Sequence, residues 1–542
     1  MGKYMNKFLK SLVASLTLAS MLTALPACGG GGGDPEVNMN IDLNNKIKLN
    51  MLMPSYGTVS DDPVNNDPAA LAVQALTGYE VKYTQLSASD ASGSLSTQMQ
   101  SKEEYHAVKL TMAQFADMIR DDMLLPLDDV NDTETEYVLD KFGPEIKRAI
   151  KDESWDVVTV DGKIYGIPER ASSDNIENPL IFRQDWLDEL EMGAPTNLVE
   201  LKEVLQAMKT RYEIAPLAID MYTPLVYPIS AAFGIYTDWQ EYTLDGGQKK
   251  VLHFMEAPRY DEYVNYMADL YKAGLINVDM DKDTAADVQQ KFYSSKAGVV
   301  ATSIWSVSNL VEGFAANLRE AGSDAVSNTR KPASINTTVT QENLMCYVRS
   351  LADDGKVYRK SGYAYVTAIP YYMAENAGYV IDWINTKLTD GVEATATHNF
   401  RTLVLGNEDE HWTYSDSTGY LPLEPAFTND KNKADYFLTG TNEYVYTEYW
   451  KARVRKNVEL HRCWSEMMED ADTYGVRNVT DAIPPLDDYS SNRSLETEAQ
   501  SFFTIMVKTD KGTSKLNQYL TTYRNFGVKD ATDAINEWYY GD

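Results

Sequence analysis

The chain holds 542 residues, with 80 acidic and 49 basic side chains and a formal charge of −31. That excess repels a polyanion and leaves no clustered Lys and Arg to displace counterions, which excludes nucleic-acid binding and a basic membrane-surface patch. An apolar fraction of 44% supports real cores and excludes wholesale disorder, and three cysteines cannot build a disulfide scaffold. At about 150 residues per domain, length alone predicts three or four domains, or fewer large ones.

At the N-terminus, Lys3, Lys7 and Lys10 precede an apolar run from Leu12 to Ala27. The run is too short and too rich in Ser and Thr to span a bilayer comfortably. Residues 1–27 therefore read as a signal peptide. Its end, Leu25-Pro26-Ala27-Cys28, resembles a bacterial lipoprotein box. That resemblance implies that Cys28 becomes the new N-terminus and carries a diacylglyceryl thioether, since two acyl chains hold a protein on a membrane where one does not. Cleavage removes three lysines and no acid, so the charge becomes −34. Residues 28–45 form a Gly-rich flexible linker with a reach of about 20–25 Å. No later segment resembles a spanning helix.

The body opens with Ile47 to Met51, which alternates apolar and polar as a half-buried strand does. An Ala/Leu-rich helical segment follows Pro68 and stops at Gly78. Tyr79, Val81 and Tyr83 alternate with polar residues, and Ala107 to Met112 reads as a third strand before a helix from Gln114 to Asp121. Strand and helix alternating at this spacing predict a parallel α/β sheet. Asp161-Gly162 is a turn signal before Ile164 to Pro168, and Leu180 to Phe182 reads as a short strand. Asn197 with Glu200 predicts a helix start just after Pro195, with Leu198, Leu201, Leu205 and Met208 on one face. A further helix runs from Pro258 to Gly274. Val299 to Ala301 and Tyr363 to Ile369 look like strands, and from about 374 the pattern is mostly helical. Internal repeats are absent. Cys346 and Cys463 could pair or remain two buried thiols, and their spacing does not decide.

In this order the segments resemble the extracellular solute-binding lipoproteins of ABC importers, the large group related to maltose-binding protein and to oligosaccharide-binding lipoproteins. Asp161 to Pro168 matches "DGKiYGiP", and Phe182 to Leu190 matches "iRkDWLdkL". Pro195-Thr196 with Glu200-Leu201 matches "PtTxdEl", and Lys296-Ala297-Gly298 through Trp305 matches "GKaa…W". Gly406 to Trp412 resembles "GiEGxHY", with Asp409 where that group has Gly. The calcium-loop-like insert of many long members is missing, since Lys209 runs straight on to Ile214-Ala215-Pro216, so no metal or cofactor is expected.

The resemblance implies an α/β, two-lobed, type II periplasmic-binding-protein-like fold, its lobes discontinuous and joined by a three-crossing hinge. The crossings are expected near Ile167-Pro168, Gly298 to Thr302 and Val366 to Ile369. Lobe one is then 46–168 with 297–366, and lobe two is 169–296 with 367–542. Such a protein captures a solute, here expected to be an oligosaccharide, in the cleft between lobes and delivers it to ABC permease subunits. It would act as a monomer on the outer face of the cell membrane, held by its lipid anchor.

Sugars are gripped by aromatic faces and by planar or charged hydrogen-bonding groups, and 36 Tyr and 9 Trp supply such rings. Trp305 resembles the sugar-stacking Trp of maltose-binding protein, and Tyr222 resembles its aromatic contact from the second lobe. Glu169 and Arg170 lie just past the first crossing, Tyr56 ends the first strand, and Trp239 and Trp412 are secondary platforms. Asp185 reads as a helix cap, with Trp186 and Leu187 packed inside. A surface glycoside hydrolase or lyase is the competing class, and it needs two carboxylates about 5–10 Å apart. The chain carries no Gly-x-Ser-x-Gly, His-Glu-x-x-His or Gly-Lys-Ser/Thr motif. The ligand could also be a peptide or another non-sugar solute.

Overall fold

The computed structural model describes residues 36–540, apart from 57–59, 172–174, 221–223, 321–344, 361, 392, 394, 456, 483–492 and 510–511. The signal peptide, Cys28 and Tyr222 therefore lie outside the described residues. The first α/β unit follows the predicted alternation. Strand β1 (Leu49–Met53) leads to helix Pro68–Thr77, where the Asp67 carboxylate accepts from the Ala69 N–H and Gly78 ends the helix at φ +70°. Strand β2 (Val81–Gln85) and strand β3 (Ala107–Leu110) lie parallel to β1 on its two sides. Helix Met112–Arg120 starts on a reciprocal Thr111/Gln114 cap. Asp161 and Gly162 take φ of +51° and +82° in the predicted turn before β4 (Ile167–Arg170).

Beyond β4 the chain leaves this sheet through the short β5 (Asn175–Ile176) and enters a second one. Here β6 (Leu180–Arg183), β7 (Leu217–Ala218), β8 (Val299–Ala301) and β9 (Met345–Val348) lie in the order β7-β8-β6-β9. The chain returns through β10 (Val357–Lys360) to β11 (Tyr363–Ala368), which sits antiparallel between β3 and β4 and completes the first sheet. It passes over a third time between helix Tyr446–Val454, which packs on the 399–422 region beside sheet one, and helix Val458–Tyr474. The latter lies on sheet two: its Glu459 carboxylate accepts from the Met345 N–H at 3.3 Å, and Asp470 accepts from the Tyr347 hydroxyl at 2.7 Å. Strand β12 (Gly475–Val476) then pairs parallel with β10, which is antiparallel to β5.

This threading corrects the expected boundaries. β8 and β9 were placed with lobe one, yet both pair antiparallel with β6, between Leu180 and Arg183. The segment from 367 to 454 was placed in lobe two, yet its helix Ala377–Leu388 packs on the 138–149 helices, and Tyr79 donates to its Asp382 at 2.8 Å. The first crossing falls a few residues past the expected one. The second and third lie at about 349–362 and 454–458 instead of at 298–302 and 366–369.

Several motifs serve packing. Trp186 is buried and stacks on Tyr212 at 3.8 Å between centroids. A Cβ on Gly298 would fall 2.6 Å from that indole, so the family's glycine is a close approach of β8 to the helix below. Asp185 is not a cap. The helix Gln184–Glu189 starts without a side-chain cap, and Asp185 instead grips the Arg183 guanidinium at 3.0 and 2.5 Å. Cys346 and Cys463 are both free thiols, and burial pushes Cys463 up to about 12.

Candidate binding cleft

The sequence places Lys109, Thr367, Tyr365 and Glu169 at paired or alternating positions of β3, β11 and β4, so the pleat sets them on one face of sheet one. Lys109 is fully buried. Its ammonium sits 2.9 Å from Glu169 Oε2, donates to the carbonyls of Tyr436 and Leu438 at 3.0 and 2.9 Å, and lies 4.7 Å from the centre of the Tyr365 ring. Burial pushes the Glu169 carboxyl up to about 7, against the pull of the Lys109 charge. Glu169 is only 4% exposed, so it serves as counter-ion to Lys109 and does not stand open to a ligand.

Around this buried pair stand Tyr56 and Tyr365, half-buried, and Tyr436, which is buried. Tyr56, just past β1, meets Tyr436 edge-on at 5.1 Å, and the Tyr436 hydroxyl donates to the Pro54 carbonyl at 2.7 Å. Lys433 lies 5.0 Å from the Tyr56 ring and 3.4 Å from Asp67. Beside them, the Arg170 N–H donates to Thr441 at 3.0 Å and its guanidinium reaches Glu443 at 3.4 Å. Glu443 also accepts from Ser154 at 2.9 Å, and Ser154 accepts from the Tyr363 hydroxyl at 2.8 Å. Burial raises the Glu443 carboxyl, while Ser154 and Arg170 oppose that rise.

Trp305 comes from the other lobe, on the turn after β8 capped by the Ser303 hydroxyl. It is half-buried and meets Trp450 of helix Tyr446–Val454 at 5.7 Å, nearly perpendicular. An aromatic contact thus joins the two lobes beside the third crossing. Of the residues expected in the cleft, Trp305, Tyr56 and Arg170 stand with half-exposed faces or heads among these groups.

Trp239 and Trp412 do not join them. Trp239 begins strand Trp239–Thr243, is 5% exposed and sits edge-on to His253 at 5.1 Å inside the lobe-two core. Trp412 is 3% exposed, and its indole N–H donates to the Gly406 carbonyl at 2.9 Å, at the end of the preceding helix. Both were expected as platforms, and both are core rings. Sequence reading missed Lys109, Tyr365, Tyr436, Glu443 and Trp450. The alternation of Tyr363 and Tyr365 along a predicted strand could have found one of these, whereas Glu443 and Trp450 carry no local signal. Among the described residues no group of three or more His, Cys, Asp or Glu side chains is placed to hold a metal ion.

Two α/β lobes of discontinuous sequence, joined by three chain passes with rings and hydrogen-bonding charges where they meet, define a two-lobed solute-binding protein of type II architecture. The chain belongs to the bacterial extracellular solute-binding protein family, which matches residues 69–432. It is 27% identical over 281 residues to an uncharacterized protein in the butB 5' region of Niallia circulans, covering 51% of this chain and 98% of that one. It is 33% identical over 177 residues to the polygalacturonan/rhamnogalacturonan-binding protein YtcQ of Bacillus subtilis, covering 31% of this chain and 32% of that one. Among solved structures it resembles the S. pneumoniae ABC-transporter substrate-binding protein FusA in complex with kestose. That likeness has a TM-score of 0.62 at 16% identity, over 91% of this chain and 99% of that one. At so low an identity it shows the fold.

Proposed function

We propose that the chain captures an extracellular oligosaccharide between its lobes and delivers it to the permease subunits of an ABC importer. The observation that carries this reading is the ring contact between the lobes, half-buried Trp305 of lobe two against Trp450 of lobe one at 5.7 Å, with the half-buried Tyr56, Tyr365 and Arg170 on the lobe-one sheet. Ring faces cover the C–H face of a sugar, while the part-exposed Arg170 guanidinium, held by the buried Glu443, grips its hydroxyls. Binding without turnover is the simpler chemistry here, because Glu169 and Glu443 each already hold a cation. Tyr222 would add a ring from lobe two. The carbohydrate-binding relatives support the substrate class.

The protein would act as a monomer tethered by a lipidated Cys28 on the outer face of the membrane. Alanine at Cys28 should release it into the medium, and cell fractionation would show this. The binding reading is tested by thermal shift of the purified protein against neutral and acidic oligosaccharides, with peptides as the control. A ligand at 100 times its dissociation constant adds about 2.7 kcal/mol. Shifts with oligosaccharides support the reading. Shifts with peptides alone overturn the substrate class, and release of reducing ends overturns binding without turnover.

A further inference from the structure

Lys109 stands in a strand whose other members, Ala107, Val108 and Leu110, are buried and apolar. A buried ammonium is costly unless every proton finds an acceptor, and an apolar side chain of similar length would fill the same space without that cost. Here the match is complete. Its three N–H donors face the Glu169 carboxylate at 3.0 Å and the Tyr436 and Leu438 carbonyls at 3.0 and 2.9 Å, with the Asp435 carbonyl further off at 3.4 Å. The three carbonyls belong to one short turn, Ala434–Phe437 and the residue after it, which takes no part in either large sheet. The carbonyl between them, on Phe437, accepts from a second buried lysine, Lys387, at 3.4 Å.

That turn carries the ring wall. Its Tyr436 meets Tyr56 edge-on at 5.1 Å, and its Phe437 meets Tyr83 at 5.0 Å. The same ammonium lies 4.7 Å from the Tyr365 ring centre, within cation–π range. Resting on the sugar-binding reading above, we propose that Lys109 is the positioning residue of the lobe-one wall: it ties the 435–438 turn to β3 and β4 and so sets where Tyr56, Tyr365 and Tyr436 stand. It touches no ligand itself. Its effect on affinity passes through the three rings.

The experiment uses the full chain with Lys109→Met and Lys109→Arg, the second keeping donors for the carbonyls. Hydrogen exchange by mass spectrometry reads the wall without any ligand, because local opening shows as faster exchange of one segment. Lys109→Met should exchange about tenfold faster in 434–441 while the sheet-two strands keep native protection. Lys109→Arg should restore most of that protection. In parallel, titration with kestose and with trigalacturonic acid should show that whichever of them binds the wild type binds Lys109→Met about tenfold more weakly, with Lys109→Arg in between.

Native exchange at 434–441 in Lys109→Met overturns the proposal. So does faster exchange spread evenly over both lobes, which marks a residue that only holds up the fold. If Lys109→Met does not fold, Lys109→Arg decides: a protected turn with retained affinity supports the proposal, and a protected turn with lost affinity overturns it. A wild type that binds neither sugar counts against the sugar reading, while the exchange measurement still decides the role of Lys109.

Discussion

Burial of His253 against Trp239, Phe254 and Tyr523 pushes its imidazole down to about 3. Above pH 6.5 neither the folded nor the unfolded chain protonates it, and its contribution to stability is fully present. As pH falls below 6.5, the unfolded chain takes up a proton that the folded chain refuses, so stability drops by about 1.4 kcal/mol per pH unit. His253→Gln removes this dependence. Urea midpoints of wild type and variant should therefore converge as pH is lowered from 6.5 to 4, other histidines cancelling in the difference. Parallel midpoints would show that the site is hydrated. Two tryptophans make the contrast between cleft and core. Trp305→Ala removes a half-buried ring and should weaken sugar binding about tenfold or more, while melting shifts little. Trp239→Ala empties a core position and should cost about 3–5 kcal/mol by chemical denaturation. In the sequence Trp305 stands ahead by its resemblance to a sugar-stacking Trp, but nothing local marks Trp239 as a core ring instead of a platform. Only burial tells a platform from a core ring.

At the scale of elements, the loop from Gly406 to Trp412 holds a strained residue in a position the family gives to glycine. Asp409 takes φ +60°, and its N–H donates to the Trp412 carbonyl at 2.8 Å, so the turn survives without glycine. A residue with a Cβ pays about 1 kcal/mol in that region, and Asp409→Gly should raise stability by up to about that amount in thermal melts. A lower melting point would show that the Asp409 side chain contributes more than the strain costs. Gly298→Ala should do the opposite: its Cβ would meet Trp186 at 2.6 Å and Met208 at 2.7 Å, with a loss of about 1–3 kcal/mol. Single elements were well legible where local chemistry fixes them. The Asp161-Gly162 turn, the Asn197 cap and the alternation around β2 all fall where periodicity and turn chemistry put them. The partners of those elements were not legible. β8 is a three-residue apolar run that would suit either sheet, and nothing within it says that it will pair with β6. The lobe boundaries are not legible for that reason, and Lys109 in its short strand reads as solvent-facing although it is buried.

Across the whole molecule, lobe two is inserted between β4 and β11 and then completed by the residues after Val454. The first two passes pair antiparallel on either side of 172–174 and 361, which lie outside the described residues. Arg170 pairs with Tyr363, the Ala171 N–H donates to the Gly362 carbonyl at 2.9 Å, and Asn175 pairs with Lys360. The third pass is tied by Arg455, whose guanidinium donates to the Tyr420 carbonyl at 2.7 Å and to His461 at 3.2 Å. If a ligand closes the lobes, as the proposed function requires, the free energy of closure must come from contacts it makes to both lobes at once. The composition is thereby recast: three or four expected domains become two interleaved lobes, and the aromatic surplus divides into core rings and a short set at the lobe junction. The central claim, that an oligosaccharide is held between the lobes, is tested most directly by isothermal titration of the wild type and Trp305→Ala with a panel of oligosaccharides and peptides. The account predicts one saturable site for an oligosaccharide in the wild type, weakened about tenfold or more in the variant. Unchanged affinity in the variant, or binding of peptides and of no oligosaccharide, would contradict it.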